Sequence, residues 1–165
     1  MNYKKLCEWV NKIQMKGKPS LNYIFCDDDD TFSALNEYMG FNVPSLPEGI
    51  PFREETPFSV ANELKCFAQL YDYTLYDAPH LYCIKIKECK TGEVSGKTTP
   101  YVMVGNSMYN ARYVKQAIDI MGKHVHFFKG ENWLSPLFVV EDETSGTVQC
   151  MILPIRYDKN KIEEE

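Results

Sequence analysis

The chain has 165 residues, of which 44% are hydrophobic and 25% are charged. These proportions are typical of a soluble globular protein, and the length favours one domain or one and a half. No apolar stretch reaches the about 18 residues that cross a bilayer, and the opening residues lack a secretory signal, so we expect a cytoplasmic protein without membrane contact. The formal net charge of −5 argues against coating of nucleic acid through overall charge.

The first 56 residues are predicted to form an N-terminal extension. Apolar residues recur at three- and four-residue spacing from Tyr3 to Ile13, which predicts an amphipathic helix that Gly17 and Pro19 stop. Alternation from Leu21 to Cys26 predicts a strand. The four aspartates that follow, Asp27 to Asp30, predict a turn. The extension therefore opens with a helix and a strand.

The middle of the chain is less regular. Thr31 to Gly40 fits a helix capped by Asp30 or a strand, and we favour the helix. Prolines between Pro44 and Pro57 predict a linker or an extended crossing segment. Ser59 is a suitable N-cap for an amphipathic helix that reaches Tyr71.

The C-terminal part predicts strands and one further helix. Leu81 to Glu88 alternates like a strand, Cys89 to Gly96 is rich in turn residues, and Tyr101 to Val104 is an apolar strand. Asn110 can cap a helix that Gly122 ends, with Ala111, Val114, Ile118 and Met121 on its buried face. Three further strands are predicted at His124 to Phe128, Leu137 to Glu141 and Val148 to Ile155.

The order of a helix followed by short antiparallel strands thus occurs twice between Ser59 and Tyr157. This order predicts an α+β fold with antiparallel strands. Six scattered cysteines without C-x-x-C spacing predict reduced and mostly buried thiols.

Four segments resemble the last domain of a bacterial DNA sliding clamp, in the same order. They are the helix Met108 to Gly122, the strand Val125 to Phe128, the strand Ser135 to Val140 and the closing strand Met151 to Arg156. The resemblance implies a DNA-clamp-like domain of two helix-plus-strand half units over residues 57–160. Residues 1–56 would be an extension or a degenerate clamp half unit, and 161–165 an acidic tail.

The same resemblance implies a non-enzymatic DNA replication accessory protein that associates with itself. Basic side chains on the helices would bind the phosphates of duplex DNA without sequence specificity. The candidates are Arg112, Lys115, Lys123, Lys65, Lys4, Lys5 and Lys12. The alternative is a clamp-derived interaction or regulatory module that does not bind DNA.

Clamps also dock short hydrophobic peptides of replication and repair proteins near the C-terminus. The resemblance places such a groove at Pro136, Leu137, Met151, Ile152, Leu153, Pro154, Ile155 and Arg156. Pro154 interrupts the strand, which would leave backbone groups available to a ligand. The alternative is that these are ordinary core residues of a final strand.

Metal and enzyme sites are weaker alternatives. Asp27 to Asp30 could hold a divalent cation, but we favour the interpretation that they form a solvated turn. His124 and His126 could chelate a metal with Cys83, Cys89 or Cys150, but exposed polar residues that alternate with apolar ones explain the pair without a metal. No catalytic motif or phosphate loop is recognised, and we expect no cofactor.

Overall fold

The computed structural model describes residues 1–12, 23–26, 31–35, 38–54, 74–141 and 149–157. Within these ranges there are two α-helices, α1 (Tyr3–Lys12) and α2 (Ala111–Met121), and ten strands. The strands are β1 (Phe25–Cys26), β2 (Phe32–Leu35), β3 (Met39–Val43), β4 (Thr74–Tyr76), β5 (Lys90–Val94), β6 (Lys97–Val104), β7 (Ser107–Asn110), β8 (Val125–Lys129), β9 (Leu137–Glu141) and β10 (Gln149–Ile152). The α+β class is therefore confirmed.

Seven strands form one antiparallel sheet in the order β1-β2-β3-β10-β9-β8-β4, and β5-β6-β7 form a second sheet. Phe41, Val139 and Cys150 are register partners across the larger sheet, so their side chains point to the same face. They belong to the core that also contains apolar residues of both helices. The opposite face is buried as well, since Phe138 and Met151 are at most 2% exposed.

Helix α2 has the predicted ends. The Asn110 side chain accepts a hydrogen bond from the Arg112 backbone N–H at 2.9 Å, which caps the first turn. Gly122 follows the last turn with a φ of 94°, a conformation that glycine adopts without strain. Its N–H bonds to the Ile118 carbonyl at 2.7 Å. The predicted buried stripe from Ala111 to Met121 is confirmed.

The helix favoured for Thr31 to Gly40 is wrong, because strands β2 and β3 occupy this segment as a hairpin. The other edge of β3 pairs with β10. A Cβ at Gly40 would overlap the Leu35 side chain, so a larger residue there would force that side chain to move. Pairing with a distant strand thus overrides a local pattern that fits either structure.

The strand predicted for Leu81 to Glu88 is also wrong. The segment forms two short 3₁₀ helices, Pro79–Leu81 and Ile86–Glu88. Strand β4 already pairs with the edge of β8. The Tyr82 hydroxyl instead donates to the Val125 carbonyl at 2.7 Å, which fixes the segment against the sheet through a side chain.

The turn predicted for Cys89 to Gly96 is wrong for most of its length, because β5 covers Lys90–Val94. Only Ser95 and Gly96 turn, and both have positive φ, as in a type I′ hairpin. Strands β5, β6 and β7 form their own sheet, so the first of the two predicted half units does not place its strands beside those of the second.

Several predictions lie outside the described residues. They are the end of the first helix at Gly17 and Pro19, the turn Asp27 to Asp30, the helix Ser59 to Tyr71 and the acidic tail. The strand Leu137–Glu141 has the predicted bounds, the strand predicted from Tyr101 starts earlier, at Lys97, and β8 is shifted by one residue. The first and last predicted strands are shorter among the described residues. The last one ends at Ile152 rather than Ile155, two residues before Pro154.

Replacing Asn110 by alanine tests the cap of α2. The substitution removes the acceptor for the Arg112 N–H, so we expect the free energy of unfolding to fall by about 1 kcal/mol. Urea denaturation followed by circular dichroism measures it. Asn11→Ala, on the exposed side of α1, is the matched control and should not lower the free energy of unfolding. Equal losses in both variants would contradict the capping role.

Candidate nucleic-acid interface on the helix layer

The outer surface of the two helices collects lysines from distant parts of the chain. Lys5 and Lys12 are exposed on α1, Lys115 is exposed on α2, and Lys123 is exposed just after it. The helices contact each other, and the Asn2 N–H bonds to the Ile120 carbonyl at 2.6 Å. The structure therefore brings these four predicted cations into one layer, which we call the helix layer.

A first cavity of about 290 Å³ lies between α2 and the segment that contains the 3₁₀ helices. Lys115 and Lys123 line it from one side and Lys85 from the other. Leu81 and Ile118 supply apolar wall. Lys85 was not among the predicted cations, because the segment was interpreted as a strand and its position over α2 depends on tertiary packing.

A second cavity of about 320 Å³ lies between α1 and α2. Lys5 and Lys12 belong to its lining, together with Trp9 and Ile120. Gln116 lines it from α2. Trp9 lies in the core with a ring edge against Phe41, the centroids being 5.0 Å apart.

Asp119 lines both cavities and pairs with Lys115 at 3.2 Å, one turn away on the same helix. The two side chains are 45% and 48% exposed. An exposed pair of this kind contributes only about 0.3–0.5 kcal/mol, so it leaves Lys115 available to another anion. Asp119 and Glu8 are the acids among the residues that line these cavities.

The remaining predicted DNA contacts are less central. Arg112 is exposed on α2, three residues before Lys115 and thus on the same side of the helix. Lys4 is exposed on α1 but lines neither cavity. Lys65 lies outside the described residues.

The residues predicted to form a peptide groove are mostly covered. Leu137 and Ile152 are fully buried and Met151 is 2% exposed, because β10 lies between β3 and β9 in the sheet interior. For these three residues the alternative of ordinary core positions holds. Pro136, Leu153 and Pro154 are partly exposed, Arg156 is exposed, and Ile155 is 9% exposed.

Beyond Ile152 the chain still pairs irregularly. The Leu153 N–H bonds to the Tyr38 carbonyl and the Ile155 N–H to the Met108 carbonyl. The expected free backbone groups at these two positions are therefore already used. The peptide groove stays a prediction that rests on the resemblance.

The histidine and cysteine positions do not converge. His126 and Cys150 lie in adjacent rows of the sheet register and so point to opposite faces. Among the described residues no group of three histidine, cysteine or acidic side chains could hold a metal ion. The expectation of mostly buried thiols needs correction, because Cys83 is exposed, Cys7, Cys26 and Cys89 are partly exposed, and only Cys150 of the five described cysteines is buried.

A buried lysine was missed by sequence reasoning. Lys129 ends β8 with 0% exposure. Its ammonium group donates to the Asn106 side-chain oxygen at 3.0 Å and to the Gly130 carbonyl at 2.6 Å, and lies 5.3 Å from the centre of the Tyr76 ring. Among the described residues it forms no ion pair. Burial lowers the pKa of Lys129.

Lys129 joins two loops. Asn106 lies in the β6–β7 turn, where Gly105 has a φ of 57° and packs against the Tyr76 ring. Gly130 starts the β8–β9 connection, in which the Ser135 carbonyl accepts from the Tyr109 hydroxyl at 2.7 Å. A perturbed lysine can indicate a reactive site, but full burial with two hydrogen bonds to loop atoms favours a structural link.

Lys129→Met tests this buried charge. Burial destabilises the charged form of Lys129 in the folded protein, which lowers the free energy of unfolding. This loss has its full size below the lowered pKa of Lys129 and disappears as the pH rises to the ordinary pKa of 10.5. The stability of the unmutated protein relative to Lys129→Met should therefore increase through this alkaline range, as measured by urea denaturation at several pH values. Lys97→Met, at an exposed position, is the control and should show no such trend. A pH-independent difference for Lys129→Met would contradict the assignment.

No protein-family model, curated protein or solved structure matches this chain. None of the described helices is long and apolar enough to span a membrane.

Proposed function

We propose that the chain is a non-enzymatic, clamp-like DNA replication accessory protein whose helix layer binds duplex DNA through phosphates. The observation that supports this most is the collection of Lys5, Lys12, Lys115 and Lys123 on one surface formed by two contacting helices. Lysine contacts to phosphate carry no sequence information, which suits a protein that must move along DNA.

The architecture is compatible with this role. Helices α1 and α2 contribute apolar residues to one core with the larger sheet. The helix that the resemblance pairs with α2, Ser59 to Tyr71, lies outside the described residues. The sheet gives the helices a rigid support, and their outer sides stay exposed to a ligand. Lys85 adds a further cation next to Lys115 and Lys123.

A triple variant tests DNA binding. Lys12→Gln, Lys115→Gln and Lys123→Gln together remove three cations, so duplex affinity at low salt should fall by at least about tenfold for every sequence, and the slope of log K against log salt should fall by about 2 to 3. Gel retardation and fluorescence anisotropy measure both quantities.

The matched control removes three exposed lysines elsewhere. Lys87→Gln, Lys90→Gln and Lys97→Gln change the net charge equally but lie outside both cavities. This variant should bind DNA within about twofold of the unmutated protein. Equal loss in both variants would assign binding to overall charge. Absence of duplex binding by the unmutated protein at low salt would favour an interaction module that does not bind DNA.

Self-association is the second part of the proposal, since one clamp-like domain cannot encircle DNA. The sheet has two edges of different character. At β1, Arg53 forms a parallel bridge to Phe25 and covers the edge. At the other edge, β4 is the outermost of the described strands, and Leu75 is 56% exposed. Strand β4 is therefore the edge at which a second copy would pair.

Leu75→Lys tests this edge. A charge on an edge strand opposes pairing between copies, so a multimer of the unmutated protein should shift to lower mass, as measured by light scattering after gel filtration. Phe52→Lys, at another exposed apolar residue, is the control and should leave the mass unchanged. A strictly monomeric unmutated protein at high concentration would remove self-association from the proposal.

A further inference from the structure

The first cavity, between α2 and the segment that contains the 3₁₀ helices, has an excess of cations in its lining. Lys85, Lys115 and Lys123 line it, and Asp119 is the one acid among the lining residues. Three positive charges thus face one negative charge, a formal excess of two. The lining of the second cavity has two lysines and two acids, so its formal charges cancel. The first cavity is therefore the one whose charge favours an anion.

The three lysines of the first cavity are accessible to a ligand. Lys85 and Lys123 are exposed, and the side chain of Lys115 is 45% exposed. Among the described residues Lys85 and Lys123 form no ion pair, and Lys115 has the weak pair with Asp119. A concave surface lined by one sign of charge focuses the electrostatic potential, because its walls have a low dielectric constant. An anion in the cavity would relieve the repulsion between the ammonium groups.

The segment that carries Lys85 is held next to α2 before any anion binds. The Tyr82 hydroxyl donates to the Val125 carbonyl at 2.7 Å, which fixes the segment to the strand that follows α2. The Lys85 carbonyl accepts from the Glu88 N–H at 3.0 Å and from the Cys89 thiol at 3.4 Å. Because this backbone is already ordered, binding costs mainly the ordering of lysine side chains.

The positions of the lysines restrict the class of anion. Lys85 lines the cavity from one side, whereas Lys115 and Lys123 line it from the other. Lysine binds phosphate as a point charge with several donors. A chloride ion or a single carboxylate would neutralise one of the two excess charges. Two linked phosphate groups carry enough charge and can contact both sides of a cavity of about 290 Å³ at once.

We propose that the first cavity binds a free diphosphate, with Lys85 on one side and Lys115 and Lys123 on the other. Asp119 lies beside the ligand and opposes it. The ligand is inorganic pyrophosphate or the diphosphate group of a small organic molecule, since both present the same two linked phosphates. This activity goes beyond duplex binding, because the ligand is a small free anion.

Calorimetric titration with sodium pyrophosphate tests the proposal. The buffer contains no divalent metal ion, and sodium chloride keeps the ionic strength constant, so that screening does not change during the titration. Pyrophosphate should bind saturably and at least about tenfold more tightly than orthophosphate, which has a single phosphate group. Isopentenyl diphosphate distinguishes the two sources. If it binds more tightly than pyrophosphate, the ligand is an organic diphosphate, and otherwise the ligand is free pyrophosphate.

Charge substitutions inside and outside the cavity form matched pairs. Lys85→Gln removes a lining cation and should weaken pyrophosphate binding by about tenfold, whereas Lys87→Gln, exposed and outside the lining, should change it by less than about twofold. Asp119→Asn removes the opposing acid and releases Lys115, so affinity should rise by about threefold. Glu88→Gln, also exposed and outside the lining, should leave affinity unchanged. Circular dichroism confirms that each variant is folded.

The exposed thiol of Cys83 reports where the anion binds. Cys83 lines the first cavity, whereas Cys7 is partly exposed on α1 and lies outside this lining. Saturating pyrophosphate should slow the reaction of Cys83 with N-ethylmaleimide by at least about threefold, because the ligand covers the thiol and its charge disfavours the thiolate. The reaction of Cys7 should keep its rate. Mass spectrometry of the labelled peptides measures both.

Four results would each overturn the proposal. They are the absence of saturable pyrophosphate binding by the folded protein, equal affinities for pyrophosphate and orthophosphate, equal affinities of Lys85→Gln and Lys87→Gln, and equal protection of Cys83 and Cys7.

Lys115 and Lys123 also belong to the helix layer, so diphosphate and duplex DNA would compete for them. This consequence rests on the proposed function, whereas diphosphate binding does not. At equal ionic strength, pyrophosphate should weaken duplex binding by the unmutated protein more than by Lys85→Gln, as measured by fluorescence anisotropy. Unchanged duplex affinity would overturn the competition. Binding of pyrophosphate without duplex binding would contradict the proposed function alone, and duplex binding without pyrophosphate binding would contradict the diphosphate site alone.

Discussion

The larger sheet depends on the pairing of β10 with both β3 and β9. This pairing joins a hairpin from the first third of the chain to strands from the last third. Cys150, Met151 and Ile152 lie at its centre and are at most 2% exposed. Contacts of such long sequence separation form only after the chain closes large loops, which is entropically costly. The sheet is therefore a cooperative unit, and the β2–β3 hairpin is not expected to be stable unless it pairs with β10.

The helix layer depends on the same pairing. Trp9 of α1 packs against Phe41 of β3, whereas α2 packs over β10. Because β10 fixes β3 next to the strands that follow α2, it also fixes α1 next to α2. The cavity with Trp9 and Gln116 and the shared basic surface are thus consequences of sheet order. A substitution that weakens β10 would be expected to disturb both together.

Sequence reasoning succeeded where local signals decide the structure. Asn110, Gly122 and the buried stripe between them defined α2 correctly because a cap and a helical periodicity act within a few residues. It failed where a distant partner decides, as in the β2–β3 hairpin and the 3₁₀ segment after Pro79. The cations of α1 and α2 could be named from their exposed faces. Their proximity and the position of Lys85 beside them could not, since each depends on packing between elements.

The net charge of −5 is compatible with the proposed DNA-binding surface, since the two would act over different distances. At about 0.1 M salt the Debye length is about 10 Å, so a phosphate in contact with Lys115 is insensitive to acids on remote parts of the chain. Those acids act during approach, where they repel DNA and slow association. Salt screens this repulsion as well as the lysine contacts. Added salt should therefore weaken binding mainly by raising the dissociation rate constant. For a uniformly basic protein, added salt would also lower the association rate constant.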